Sequence, residues 1–204
     1  METSSNNIFI HQANQDALQN APTTNKLSSK INEGISIETE RLMLKPLNYE
    51  QLVKYVRCDN SLETEFNLNR SSRVISADLK EAFEQSIFPN VADKTKNYLF
   101  STIWTAISKN EKLMVGDICL YGEPNAAGKV EIGYGTYDEF RNKGFMTEIV
   151  SGMIKWIETQ AAVKSIIAST EKTNTASFRV LEKNGFIKIG NTENLLRWEL
   201  SFSK

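Results

Sequence analysis

The chain has 204 residues, and its 24 basic and 25 acidic side chains give a formal net charge of −1 at pH 7. This length is enough to bury one sizeable core and short for two full domains, so we expect a single folded domain. The near-neutral charge disfavours nucleic acid or an anionic membrane surface as a partner. Two cysteines are too few for a disulfide framework. The one histidine, His11, lies in a polar segment, which disfavours a histidine-based metal site or a Ser-His-Asp triad.

Residues 1–34 differ in composition from the rest of the chain. They are rich in Asn, Gln, Ser and Thr and have little apolar periodicity, which predicts a polar, flexible leader outside the core. No basic segment leads into a long apolar one, and no stretch approaches the roughly 18 apolar residues of a membrane span. We therefore expect a cytoplasmic protein whose single domain covers residues 35–204.

The first half of this domain predicts one strand, two helices and a hairpin. Leu42 and Leu44 alternate with Arg41, Met43 and Lys45, as in a half-buried strand. Helical spacing follows in "NYEQLVKYVRC" and in "SADLKEAFEQSIF", where Ser76 is a candidate N-cap. The aromatic and β-branched segments "NYLFSTIWTAIS" and "KLMVGDICLYG" predict an antiparallel hairpin.

The second half predicts strands that alternate with helices. "VEIGYGTY" is a strand, "FMTEIVSGMIKWIETQ" a helix with one apolar face, and "VKSIIAST" a short apolar strand. "NTASFRVLEKNG" is a helix that ends at Gly185, and "FIKIG" and "NLLRWELSF" are closing strands. The predicted order is β-α-α-β-β-β-α-β-α-β-β, an α/β (α+β) fold with one parallel crossover in a mixed sheet.

The stretch "EFRNKGFMTE" joins a predicted strand to a predicted helix and allows three interpretations. Free N–H groups and the helix dipole at a helix N-terminus suit a phosphate, and Gly144 permits close approach to it. A tight turn and a basic surface patch are the other two. The known phosphate motifs are missing, because Asp138 stands where a dinucleotide fingerprint needs glycine and Val130 where a P-loop needs Ser or Thr.

Three blocks, "ETERLMLKPL", "VEIGYGTYDEFRNKGFMTE" and "NTASFRVLEKNGF", resemble the GNAT superfamily of N-acetyltransferases. The resemblance is to the branch that includes the ribosomal-protein N-terminal acetyltransferases, and it extends from about residue 35 to the C-terminus. It implies the GNAT fold, here a mixed, mostly antiparallel sheet of seven strands flanked by about four helices. It also implies that the chain transfers an acetyl group from acetyl-CoA to a primary amine without a metal.

The resemblance assigns the cofactor to one strand, one loop and one helix start. Backbone groups of the strand would bind pantetheine in a V-shaped gap opened by a β-bulge, to which Gly133 and Gly135 are suited. Backbone amides of the loop would wrap the pyrophosphate, and Met146 stands where the family has Gly or Ala. Asn174 resembles an asparagine that contacts pantetheine, and it is also a candidate N-cap. In chain order the cofactor-binding residues are Gly135, Thr136, Tyr137, Arg141, Asn142, Lys143, Gly144, Phe145, Met146, Thr147 and Asn174.

Three residues are expected to carry the chemistry. A backbone N–H near Tyr134 would polarise the thioester carbonyl. Glu131 is the expected base, with Glu193 as a second candidate, and a surface glutamate is the alternative for each. Leu181 replaces the tyrosine acid of many family members, and Ser177 stands where the N-terminal acetyltransferase branch has a serine acid. An ordinary first-turn serine is the alternative for Ser177.

The acceptor is expected to be a small-molecule or peptide amine. The sequence does not choose among four possible acceptors: a protein N-terminus, a polyamine, an amino sugar and an aminoglycoside. Acidic residues of the early helices, Asp59, Glu63 and Glu65, are candidates to attract an ammonium, although acidic runs are usually solvated. A non-catalytic acyl-CoA-binding module of the same fold is the alternative function, and we expect a monomer or a homodimer.

Overall fold

The computed structural model describes residues 34–203, in which eight strands form one sheet. The strands are β1 (Ile37–Glu38), β2 (Leu42–Pro46), β3 (Ile103–Ser108), β4 (Leu113–Leu120), β5 (Lys129–Thr136), β6 (Ser165–Glu171), β7 (Ile187–Asn191) and β8 (Leu195–Ser201). Their order across the sheet is β1-β2-β3-β4-β5-β6-β8-β7. Neighbours are antiparallel except β5 and β6, which are parallel. The leader predicted for residues 1–34, with His11, lies outside the described residues apart from Gly34.

Six α-helices accompany this sheet in the described part of the chain. They are α1 (Tyr49–Arg57), α2 (Ser61–Glu65), α3 (Ala77–Ala82), α4 (Phe88–Ala92), α5 (Phe145–Glu158) and α6 (Thr175–Lys183). A π-helical turn, Phe83–Ile87, joins α3 to α4 without a break. The mixed α/β class and the single parallel crossover, β5-α5-β6, are as predicted.

The strand count differs from the sequence-based expectation because a short strand, β1, precedes the predicted first strand. The Thr39 hydroxyl accepts from the backbone N–H of Leu42 at 3.1 Å, and the Thr39 backbone N–H donates to the carbonyl of Leu42 at 2.9 Å. These bonds turn the chain, so that β1 folds back on β2 with Ile37 opposite Leu44. A side chain that bonds to nearby backbone groups competes with continued extension. The sheet therefore has eight strands instead of the predicted seven.

The predicted helices form, with additions in the early segment. Asn48 and Gln51 make a capping box at the start of α1, and Ser76 caps α3 by accepting from the N–H of Leu79 at 3.2 Å. The short helix α2 was not predicted. The helix predicted from Ser76 continues beyond its expected end to Ala92, because the π-helical turn preserves its direction.

Apolar side chains fill both faces of the sheet. On one face α5 and α6 pack over the centre of the sheet, with buried residues such as Ile149 and Met153. On the other face α1 to α4 contribute a separate core that includes Leu52 and Phe83. Burying one such side chain stabilises a fold by about 1.5–3 kcal/mol. The two cores hold β4 and β5 in the middle of the sheet, where the candidate site lies.

Candidate active site

Strands β5 and β6 separate partway along their length. Their parallel pairing runs from Lys129 opposite Ser165 to Ile132 opposite Ala168, and it ends there. Further on, residues 133–136 of β5 pair with β4 but not with β6. Residues 169–171 of β6 pair with β8. Two strand edges therefore face each other across an opening, and an extended ligand can use the backbone groups that the ladder no longer uses.

This opening forms without the β-bulge expected at Gly133 and Gly135. The ladder between β4 and β5 keeps one register from Gly116 opposite Thr136 to Leu120 opposite Ile132. Gly133 has another reason to lack a side chain. A Cβ there would lie 2.9 Å from Cζ of Tyr121, so the ring of this half-exposed tyrosine needs the space.

The loop after β5 has the geometry of an anion site. Asn142 and Gly144 take positive φ angles of 62° and 78°, so the chain bends sharply just before α5. Gly144 is the N-cap residue of this 14-residue helix, whose first N–H groups have no partner within the helix. Residues 141–144 are exposed, and the helix dipole adds positive potential there. An exposed turn of this kind at a helix N-terminus can bind a phosphate through its backbone N–H groups.

The side chains of this loop have local partners. The Arg141 guanidinium pairs with Asp138 at 2.7 Å, and the Lys143 ammonium lies 4.9 Å from the ring centroid of Phe140. Met146, the departure from the family pattern, is only 7% exposed. Its Cε lies 3.3 Å from the point where a Cβ on Gly116 would stand. Met146 therefore fills the core and takes no room from a ligand on the loop.

The first turn of that helix continues the same surface. Phe145 is buried in the core that α5 shares with the sheet, and Thr147 is partly buried. The carbonyl of Thr147 accepts from the side-chain amide of Asn184 at 3.2 Å, which links the start of α5 to the end of α6. The Phe145 side chain is therefore part of the core, and Thr147 lies in the first turn of α5, beside the exposed residues 141–144.

Tyr134, Ser177 and Asn174 come together on the face covered by α5 and α6. The hydroxyls of Tyr134 and Ser177 are 2.7 Å apart, and either can donate. Both side chains are buried, and burial raises the pKa of the Tyr134 phenol. Asn174 caps α6, because its Oδ1 accepts from the N–H of Ser177 at 3.1 Å. The structure thus confirms the N-cap at Asn174 and places Ser177 beside the residue whose amide is the expected oxyanion donor.

Glu131 lies at the same opening on the opposite face of the sheet. Side chains alternate along a strand, so Glu131 shares a face with Gly133 and not with Tyr134. Its Oε1 accepts from the hydroxyl of Ser169 at 2.8 Å. Ser169 follows the last β6 residue that pairs with β5, so this bond spans the opening. No sequence pattern points to Ser169, because a serine in an apolar strand carries no chemistry on its own.

Glu193 is the second candidate base. It lies in the exposed turn between β7 and β8, and β6 and β8 stand between β5 and the edge strand β7. Glu131 therefore lies beside the opening, whereas Glu193 lies in a turn whose Asn194 carbonyl accepts from the N–H of Lys172, just past the end of β6.

A buried carboxylate that the sequence reasoning missed lies opposite Gly135. Asp117 is 2% exposed, and its Oδ2 accepts from the hydroxyl of Tyr55 at 2.7 Å. Burial raises the pKa of Asp117, and the hydrogen bond from the Tyr55 hydroxyl opposes that effect. The pKa of Tyr137 is also raised, chiefly by the burial of its phenol and next by the nearby Asp117. A charged residue inside the apolar strand "LMVGDICL" was the available signal.

The acidic residues of the early helices already have hydrogen-bond or ion-pair partners within the protein. Glu63 forms a buried ion pair with Arg73, at 3.2 Å, with side-chain exposures of 2% and 3%. Glu65 pairs with Lys54 at 2.6 Å on the surface. Asp59 accepts from the N–H of Ser61 at 3.0 Å. The expectation that Glu63 attracts an ammonium is therefore wrong, because its charge is compensated inside the protein.

A cleft of about 680 Å³ adjoins the loop at Gly144. It runs between β1 and the outer side of α5, and Thr147, Lys155 and Lys183 line it. Within residues 34–203, no group of three His, Cys, Asp or Glu side chains is arranged to bind a metal. The described helices include none with the length and apolar composition needed to cross a bilayer.

Solved structures with this fold include enzymes that act on different amines. A ribosomal-protein-S5-alanine acetyltransferase from Vibrio fischeri superposes with a TM-score of 0.60 at 18% identity, covering 82% of this chain and 96% of that one. A spermidine N-acetyltransferase from Vibrio cholerae, in complex with CoA and spermine, gives a TM-score of 0.55 at 15% identity, covering 80% and 96%. These identities support a common fold.

The sequence relationships are more specific. An uncharacterized N-acetyltransferase, YjdG, of Bacillus subtilis (strain 168) is 26% identical over 164 residues, which are 80% of this chain and 96% of that protein. The model of the acetyltransferase (GNAT) domain matches residues 41–187, more than half of the chain. The chain therefore belongs to the GNAT family of acetyltransferases, enzymes that use acetyl-CoA as acyl donor.

Proposed function

We propose that this enzyme transfers the acetyl group of acetyl-CoA to a primary amine at the opening between β5 and β6. One observation carries the proposal. Parallel pairing ends at Ile132 and Ala168, and the freed part of β5 leads through the turn Asp138–Phe140 into the exposed loop at the N-terminus of α5. A strand edge followed by an anion site matches a ligand with an amide-bearing arm and a pyrophosphate.

The cofactor would lie along residues 133–147. Its pantetheine arm would bond to Gly135, Thr136 and the backbone around them. Its pyrophosphate would sit on the amides of residues 141–147, and its adenosine end would point toward the cleft beside α5. Lys155 and Lys183 line that cleft, which suits a third phosphate.

The chemistry requires two proton transfers. An amine attacks only after its ammonium loses a proton, and Glu131 would accept that proton directly or through a water. The new N–C bond forms as the C–S bond breaks, while a backbone N–H near Tyr134 stabilises the charge on the carbonyl oxygen. The Ser177 hydroxyl would protonate the sulfur, and the Tyr134 hydroxyl, 2.7 Å away, could resupply the proton. Glu131 and Ser177 would then act from opposite faces of the sheet.

The acceptor would approach on the Glu131 face. Tyr121 is 49% exposed there and lies over Gly133, so it would form part of the wall that contacts the acceptor. A peptide N-terminus and a polyamine are the two acceptor classes that the names of the Vibrio enzymes suggest. An acyl-CoA-binding module without catalysis is the alternative, because a binder would keep the same loop.

Release of CoA thiol from acetyl-CoA tests the proposal. The assay should use three candidate acceptor amines: a peptide with N-terminal alanine, spermidine and an amino sugar. We expect saturable, amine-dependent release with at least one of them. Glu131→Gln should lower kcat by about 10²-fold or more, because general-base catalysis contributes about that much.

Glu193→Gln is the matched control, and it should leave kcat unchanged. Equal losses in the two variants would contradict the assignment of Glu131. Absence of thiol release with every amine, together with an increased thermal midpoint in CoA, would support the binding module instead.

A further inference from the structure

Arg41, in the turn between β1 and β2, lies against the candidate pyrophosphate loop. Its Nη1 donates to the carbonyl of Lys143 at 3.1 Å, and its guanidinium carbon is 4.6 Å from the ring centroid of Phe145. Its Nη2 lies 3.6 Å from the point where a Cβ on Gly144 would stand. One side chain thus contacts or adjoins three consecutive residues of the loop.

Glu148 holds this arginine in place. The carboxylate accepts from Arg41 Nε at 2.7 Å, from Arg41 backbone N–H at 2.7 Å, and from the Thr39 hydroxyl at 2.6 Å. Partial burial opposes ionisation of Glu148, but these hydrogen bonds outweigh it and lower its pKa. Glu148 is in the first turn of α5, so the turn at Arg41 is fastened to the helix whose N-terminus forms the anion site.

The bond to the Lys143 carbonyl fixes a peptide plane. In a trans peptide, the C=O of one residue and the N–H of the next point in opposite directions. Arg41 draws the oxygen of Lys143 toward itself, so the N–H of Gly144 must point away from Arg41. Glycine has broad conformational freedom, and without this bond the plane could rotate and present an oxygen to an anion.

We propose that Arg41, held by Glu148, is a positioning residue that keeps the N–H of Gly144 directed at the pyrophosphate of the acyl donor. The inference rests on the proposed place of the cofactor. The loop then has its binding conformation before the ligand arrives, which saves the cost of ordering it on binding. The arginine acts through the backbone of the loop, and its charge adds to the positive potential there.

A comparison of two acyl donors tests this role. S-acetylpantetheine carries the thioester and the pantetheine arm without the pyrophosphate. For Arg41→Gln we expect about a tenfold to hundredfold loss in kcat/KM with acetyl-CoA, because a charge-assisted hydrogen bond is lost. With S-acetylpantetheine the value should stay within about twofold of wild type. CoA affinity by calorimetry should fall by the same factor as kcat/KM with acetyl-CoA.

Lys109→Gln is the matched control. The Lys109 ammonium bonds to the carbonyl of Thr39 and to Glu38, each at 2.6 Å, and it is 38% exposed against 41% for Arg41. This variant loosens the same turn without touching the loop, so CoA affinity should stay at the wild-type value. Hydrogen exchange of residues 143–145 without CoA should rise in Arg41→Gln and not in Lys109→Gln.

Three results would overturn the inference: equal losses with both donors, equal losses in both variants, or wild-type CoA affinity in Arg41→Gln. Arg41→Lys decides the matter if Arg41→Gln does not fold, because lysine keeps the charge but lacks the fork that reaches Glu148 and Lys143 together. Failure of the proposed function is distinguishable, since CoA binding would then be insensitive to Gly144→Asp as well.

Discussion

At the scale of single residues, substitutions of Gly144 test the proposed cofactor site. Gly144→Asp puts a carboxylate beside the expected pyrophosphate, and Gly144→Ala adds only a methyl group at a φ of 78°. We expect the Asp variant to lose measurable CoA binding by calorimetry and the Ala variant to lose less.

Gly185→Ala is the matched control for backbone strain. Gly185 has a φ of 81°, and a Cβ there would lie 3.6 Å from its nearest neighbour, the same clearance as at Gly144. The two Ala variants should lose similar amounts of unfolding free energy, while only those at Gly144 affect CoA. Unchanged CoA affinity in a folded Gly144→Asp variant would contradict the cofactor site.

Ser177 allows a second test at this scale. Removing a general acid costs about 10² to 10⁴ in rate, so Ser177→Ala should lower kcat by at least about 10² with little change in the KM of acetyl-CoA. Tyr134→Phe keeps the serine hydroxyl and should lower kcat less. Steady-state kinetics with a fixed amine measure both, and Ser201→Ala, an exposed serine at the end of β8, is the control. A wild-type kcat in Ser177→Ala would contradict the role of Ser177 as the general acid.

The position of the Met146 side chain does not follow from the resemblance to the family. The family pattern has Gly or Ala there, so the sequence alone suggests crowding beside the cofactor. The structure resolves this because strand β4 presents Gly116 to the methionine. Gly116 is 30 positions away along the chain, and no local pattern connects the two residues.

At the scale of elements, the Glu63–Arg73 pair fastens α2 to the segment that precedes α3. Breaking a buried ion pair from one side leaves a buried charge uncompensated, which costs about 3–5 kcal/mol. We expect Glu63→Gln to lower the unfolding free energy by roughly that amount in urea. Glu65→Gln removes the exposed pair with Lys54 and should cost less than about 1 kcal/mol. Equal costs would mean that Glu63 is solvated in solution.

The contact between the β1–β2 turn and α5 should depend on pH. The pKa of Glu148 is lower in the folded protein than its ordinary value of 4.5. The carboxylate therefore stabilises the fold above about pH 4.5, and this contribution is lost as the pH falls through the folded pKa.

The difference in unfolding free energy between wild type and Glu148→Gln should thus be largest near neutral pH and shrink below about pH 4.5. Denaturant titrations of both proteins at several pH values measure it. A difference that grows on acidification would contradict the assignment of Glu148 as an ionised hydrogen-bond acceptor.

Most elements could be predicted from the sequence, because helical and strand periodicities are local. The exceptions have local competitors or distant partners. The hydrogen bonds of Thr39 separate β1 from the predicted first strand, and the π-helical turn extends the helix after Ser76 beyond its apparent end. The first effect depends on the rotamer of one side chain, and the second on packing against the sheet.

At the scale of the whole molecule, the sheet order determines which residues meet. Strand β8 lies between β6 and β7, and sequence order gives no sign of that insertion. The loop residues were predictable because they are contiguous. Glu131 and Ser169 are 38 positions apart, and Arg41 and Glu148 are 107 apart, so their contacts follow only from the folded chain.

The opening between β5 and β6 is the central claim at this scale, and a crystal structure of the enzyme with CoA tests it most directly. We expect the pantetheine arm between residues 133–136 and β6, the pyrophosphate oxygens within hydrogen-bond distance of the amides of residues 142–146, and the sulfur near the Ser177 hydroxyl. CoA bound on the face covered by α1 to α4, or a pyrophosphate that does not contact the loop, would contradict the account.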